Sequence, residues 1–174
     1  MSEKPFSIQE FKKKHVARLS DRSPDWNVLS FQEEVDPKYR RAQMRYIGRG
    51  ATANNDAKVI EADNFTLSTM VLPAGCEGPS HLHEDVEEVF FILKGKITAT
   101  LTVDGQTYEV PLNTRDCISV PPGYYRGIRN DTDEEALMLV MLGTNKPQLP
   151  SYPEGSVLEK LRIERKKERE AAMK

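Results

Sequence analysis

The chain has three histidines, and two of them stand one residue apart in His81-Leu82-His83. On an extended strand, residues i and i+2 point to the same face, about 6–7 Å apart, so both imidazoles can reach one point in space. Nothing in core packing calls for such a pair. Carboxylates follow at once in Glu84, Asp85, Glu87 and Glu88. Imidazole plus carboxylate is a donor set that suits a divalent metal such as Fe, Mn, Ni or Zn. The same residues also admit a plainer description, two surface histidines in an acidic loop. Parity leaves the choice of carboxylate open. In an unbroken strand Glu87 shares the histidines' face; if the chain turns over residues 84–86, Glu88 returns to that side.

Short strands have to position these groups. From about residue 42 the sequence takes on a strand-like period, with β-branched, aromatic and apolar residues concentrated at 43–47, 65–72, 89–93, 97–103, 106–110, 118–120 and 136–142. Asp104-Gly105 predicts a two-residue hairpin turn, and Pro121-Pro122-Gly123 ends a strand. Many short strands with Gly and Pro between them, and no intervening helices, predict an all-β sandwich or barrel. The run 89–93 is apolar on both faces, so its outer face needs a cover: the second sheet, an arm, or a second copy of the chain.

Charged arms flank this middle. Ser7 and Glu10 have the spacing of a capping box, and Ile8, Phe11 and Leu19 recur at helical spacing, predicting a helix over 7–19. Lys12, Lys13, Lys14 and Arg18 then form a solvated polar face. Pro24 and Pro37 punctuate an irregular connection. Beyond Pro147, Pro150 and Pro153, residues 157–174 read as a charged helix whose first turns are anchored by Val157, Leu161 and Ile163. Its remainder is solvated, or steadies a dimer. The expected division is an arm over 1–41, a β-domain over 42–147 and a tail over 148–174.

Composition narrows the classes. Among 174 residues, 25 Lys and Arg against 27 Asp and Glu give a formal net charge of −2, which argues against nucleic acid or an anionic membrane as partner. No run approaches the roughly 18 apolar residues needed to span a bilayer, and the N-terminus lacks the apolar stretch of a secretory signal. Cys76 and Cys117 make no disulfide framework. A reducing cytoplasm is the expected compartment.

The spacing Gly75-x5-His81-x-His83-x4-Glu88-x6-Gly95 resembles the first signature motif of the cupin superfamily. Pro121-Pro122-Gly123 and Asn130 match parts of its second motif. The resemblance covers about residues 65–143. It implies a double-stranded β-helix, a jelly-roll-like barrel of two antiparallel sheets, with a metal inside held by His81, His83 and, in preference to Glu87, Glu88. Two positions depart from the pattern: Arg126 stands where the second motif has its histidine, and Arg115 where it has its leading glycine. A guanidinium is no ordinary metal ligand. What remains is two histidines and one carboxylate, the set of non-haem Fe(II) enzymes that keep open positions for substrate and dioxygen. Arg126 then has two readings: its fork binds an anionic substrate group beside the metal, or it pairs with Glu88 and the barrel holds no metal.

By parity Tyr124 would face the same way as Arg126 and touch substrate, with Tyr125 outward; the plainer reading of either tyrosine is a half-buried aromatic with a wet hydroxyl. Phe90 and Ile92 share the parity of Glu88 and would wall the pocket. Gly48-Arg49-Gly50-Ala51-Thr52-Ala53 fits a dinucleotide pattern, but no helix follows it, so it reads as a loop near the barrel mouth. The expected function is a metal-dependent dioxygenase-like enzyme, Fe(II) preferred over Mn, Ni or Zn, acting as a homodimer on a small anionic or aromatic molecule. The alternative is a non-enzymatic small-molecule binder, or a metal-dependent isomerase or lyase, with Arg126 as anion anchor.

Overall fold

The computed structural model describes residues 7–49 and 58–172. The capping box forms: Ser7 Oγ accepts from the Glu10 backbone N–H at 3.2 Å, and Ser7 N–H donates to Glu10 Oε2 at 2.9 Å, opening α1 (Ile8–His15). The helix stops short of Leu19, which lies exposed in a 3-10 turn. A single turn, α2 (Ser30–Glu33), follows.

Among the described residues nine strands come next: β1 (Ala42–Ile47), β2 (Thr66–Leu72), β3 (Glu77–His81), β4 (Glu88–Lys94), β5 (Lys96–Val103), β6 (Gln106–Asn113), β7 (Cys117–Val120), β8 (Tyr125–Arg129) and β9 (Ala136–Leu142). They form two antiparallel sheets, ordered β1-β2-β9-β4-β7 and β3-β8-β5-β6, so the all-β jelly-roll expectation holds. The sheets face each other without closing into one continuous barrel. Asp104 and Gly105, both at positive φ, make the tight turn that pairs Val103 with Gln106. Alternation places Met70, Phe90, Met138 and Val140 of the first sheet against Ile97 and Ile128 of the second. Each such side chain contributes roughly 1.5–3 kcal/mol by leaving water. On β4 the alternation is cleaner than its composition suggests. Phe90 and Ile92 are fully inside, Val89 and Phe91 half-buried, and Leu93 exposed.

The C-terminal helix α3 (Val157–Ala172) docks through Leu158 rather than through Val157 or Ile163, both of which are exposed. Leu158, Leu161, Arg162 and Arg165 lie at i, i+3, i+4 and i+7, one helix face, and Val157 and Ile163 fall off it. Residues 50–53 of the Gly48–Ala53 motif lie outside the described residues. Among the described residues no helix is long and apolar enough to cross a membrane.

The turn between β8 and β9 is tied back to β2 by one side chain. Asn130, 0 % exposed, donates through Nδ2 to the carbonyls of Leu72, Pro73 and Glu134 at 3.0, 3.1 and 2.8 Å. Its Oδ1 accepts from the Thr132 backbone N–H and hydroxyl. Asn130→Ala strips all of these at once, and we expect a loss of about 2–4 kcal/mol in urea unfolding.

Candidate functional site

On the second sheet, β3 and β8 pair with His81 opposite Arg126. His81 Nδ1 lies 2.9 Å from the Pro79 carbonyl oxygen. A carbonyl can only accept, so Nδ1 carries a proton and Nε2, 3.4 Å from Glu88 Oε2, is the atom turned toward the carboxylate and available to a metal. The chain then leaves β3, bends at Glu84 and Asp85, and re-enters the facing sheet at Glu88. That bend resets the parity. Glu88 is 5 % exposed and points inward, whereas Glu87 lies outside the group and accepts a hydrogen bond from the Ser119 hydroxyl.

His83 sits in the bend, buried, its ring 5.4 Å from that of His81 at 85°. Backbone bonds hold this connection. Leu82 exchanges two with Ser151, at 2.8 and 3.0 Å, and Gly123 N–H donates to the His83 carbonyl at 2.9 Å. One donor atom each from His81, His83 and Glu88 lie within 4.8 Å of one another.

This group can hold a divalent metal. Two donors each about 2.1 Å from a common ion stand about 3.0–3.4 Å apart, the separation His81 and Glu88 already have. His83 Nδ1 is buried with no hydrogen-bond partner among the described residues. Burial pushes the His83 imidazole down to about 4, aided by the charges of His81 and Arg126 against those of Glu88 and Asp85, so it is neutral, the ligating form. Burial alone would raise the Glu88 carboxyl. The His81 hydrogen bond and the charges of His81, Arg126 and His83 overcome it and bring the group to about 2.

Arg126 takes the pairing role. It is 1 % exposed, and its Nε donates to Glu88 Oε2 at 2.8 Å and its Nη1 to the Tyr124 carbonyl at 3.2 Å, while Nη2 has no partner among the described residues. It is not part of the wall of the cavity beside the histidines. From a position opposite His81, its fork meets the buried carboxylate before it can reach a ligand. Tyr124 is also displaced from its expected place. The strand starts at Tyr125, so parity does not extend to Tyr124, which is 43 % exposed and off the cavity wall. Tyr125 donates its hydroxyl to the Tyr152 carbonyl at 3.3 Å.

The cavity has a volume of about 750 Å³. His81, His83 and Glu88 line it together with Phe90, Ile128 and Val140. Sequence reasoning missed Gln32, Arg41 and Tyr152, all buried and all on the same wall. They come from the arms. No local pattern marks them, because an arginine beside Arg40 and a tyrosine between prolines and acids read as solvent-facing.

Residues 68–142 match the family model described as Cupin domain, and that segment has the cupin fold. Solved structures with the same architecture include an oxalate oxidase in complex with the substrate analogue glycolate, with TM-score 0.62 and 15 % identity, covering 86 % of this chain and 68 % of that one. KdgF from Halomonas sp. aligns with TM-score 0.53 and 12 % identity over 75 % of this chain and 93 % of its own. DMSP lyase DddQ from Ruegeria pomeroyi DSS-3 aligns with TM-score 0.52 and 26 % identity over 67 % of this chain. The chain spans about half, 54 %, of DddQ, and the same share of a second oxalate oxidase chain. No curated protein matches in sequence.

Removing Arg126 leaves the Glu88 charge buried without its guanidinium. In chelator-treated protein, Arg126→Gln is expected to cost about 3–5 kcal/mol in urea unfolding.

Proposed function

We propose that the protein is a metal-dependent cupin enzyme of the non-haem iron oxygenase type, acting on a small organic anion. One observation carries the reading. Two imidazoles and one carboxylate converge on the wall of a 750 Å³ cavity, while the remaining position is taken by a guanidinium that does not ligate. A divalent ion held by this set would offer open coordination positions; Fe(II), the preferred ion, would also supply electron transfer, and of the alternatives Mn, Ni or Zn the last would act only as a Lewis acid.

The chain's own residues do the rest. The Pro79 carbonyl fixes the His81 tautomer and ring. Arg126 holds Glu88 ionised and fixes its orientation through Oε2. Phe90, Ile128 and Val140 keep water away from the reacting end of the substrate, strengthening every charge interaction inside. We also propose a homodimer, supported by the incompletely covered outer face of β4 at Val89, Phe91 and Leu93.

A second reading, a lyase, is favoured by the 26 % identity to DMSP lyase DddQ. Such chemistry moves a proton. Tyr152 lines the cavity, and its hydroxyl accepts from Gln32 Nε2 at 2.6 Å; burial pushes the phenol up, so it can give a proton rather than take one.

Metal analysis of untagged protein, followed by oxygen uptake with keto-acid and phenolic compounds, separates these readings. We expect about one ion per chain, lost in His83→Ala, and oxygen consumption by the loaded protein. Loaded protein that eliminates without consuming oxygen is a lyase. Protein that binds organic anions but takes up no divalent metal is a binding module, and the enzyme reading falls.

A further inference from the structure

Arg41 is the last residue before β1 and is 5 % exposed. It lines the same cavity as His81, His83 and Glu88. Its Nη1 donates to the Tyr39 carbonyl at 3.0 Å, and its Nη2 donates to Gln32 Oε1. Both acceptors are neutral. Among the described residues, no carboxylate forms an ion pair with Arg41.

A buried cation with no carboxylate in contact carries a desolvation penalty of several kcal/mol; neutral acceptors orient its fork without neutralising it, and Glu88 acts on it only through space. Burial pushes the guanidinium down to about 10, which leaves it cationic at neutral pH. Of the other cations lining the cavity, Arg162 pairs with Glu159, Arg165 stands over the ring of Phe31 and Arg45 donates to the Arg49 carbonyl, while Lys166 is exposed; Arg41 is the buried one. Arg41 packs closely against β3: a Cβ on Gly78 would come within 3.6 Å of Arg41 Nε and 2.8 Å of Ile128 Cγ1.

We propose that Arg41 is the anchor for the carboxylate of an organic anion, its fork held by Gln32 and the Tyr39 carbonyl, with the far end of that anion reaching the His81–His83–Glu88 group. The proposal deepens, and rests on, the reading of this cavity as a substrate site. It moves the anion contact from the second-motif position of Arg126 to the N-terminal arm. Gly78, beside Arg41, and His81 both belong to β3, so Arg41 and the His81–His83–Glu88 group meet the same cavity at separate points. A flexible dicarboxylate such as glutarate offers one carboxylate to the fork and a second group to the far end.

The test is calorimetric titration of chelator-treated full-length protein with glutarate, its neutral counterpart glutaramide, and inorganic phosphate. Saturable binding of glutarate but not glutaramide is expected, weakened about tenfold or more in Arg41→Gln and less in Arg41→Lys. Circular dichroism checks that the variants fold. Should Arg41→Gln fail to fold, Gln32→Leu, which frees the fork, is expected to weaken glutarate several-fold. Equal glutarate affinity in wild type and variant, absence of glutarate binding, or binding of phosphate alone overturns the proposal. The titration is made without metal, so its failure strikes the anion anchor. Failure of metal uptake with glutarate binding intact strikes the enzyme reading instead.

Discussion

An ionised carboxylate inside a protein is tolerated only where other charges and donors replace the water it has lost. Glu88 is such a group, and the centre of the molecule is arranged around it. It projects from the first sheet; the His81 imidazole and the Arg126 guanidinium meet it from the second. The contact crosses the sandwich, so it fixes how the two sheets face each other as well as what the cavity can bind. A carboxylate held this way stays charged and oriented, as a metal ligand must be. The same arrangement explains why Arg126 replaces a ligand without closing the site: its single bond to Glu88 Oε2 leaves the carboxylate further lone pairs, and it stays off the cavity wall.

The cupin match ends at residue 142, but the cavity wall does not. Ser151, from the segment after the last strand, pairs with Leu82, the residue between the two histidines. Tyr152 and Arg162 continue the wall from the C-terminal side, Phe31 and Gln32 from the N-terminal side. A pocket whose donors come from the barrel and whose far wall comes from the arms can change substrate without changing its metal chemistry. This is one way in which a single fold serves many reactions.

Much of this was legible in the residues. Short apolar and β-branched segments marked seven of the nine described strands, Asp104-Gly105 the hairpin, and Ser7 with Glu10 the helix start. The two strands that composition did not mark are β3 and β8, with sequences EGPSH and YRGIR. They lack apolar alternation for a physical reason: their positions hold His81, Arg126 and close-packed glycines in place of core side chains. The histidine pair was visible from spacing, but the choice between Glu87 and Glu88 needed the bend at residues 84–85 or the family pattern. Tyr124 was misplaced because parity was extended one residue beyond the start of β8. Arg41 carried no signal, since its burial depends on Gln32 and Tyr152, which are distant in sequence.

The most direct measurement is an anomalous difference map from crystals grown with Fe(II) or Mn(II), recorded at the metal edge. A single strong peak is expected about 2.0–2.3 Å from donor atoms of His81, His83 and Glu88, with Arg126 still bonded to the carboxylate. A map without a peak there, in which both oxygens of Glu88 are taken by Arg126 and His81, would contradict it.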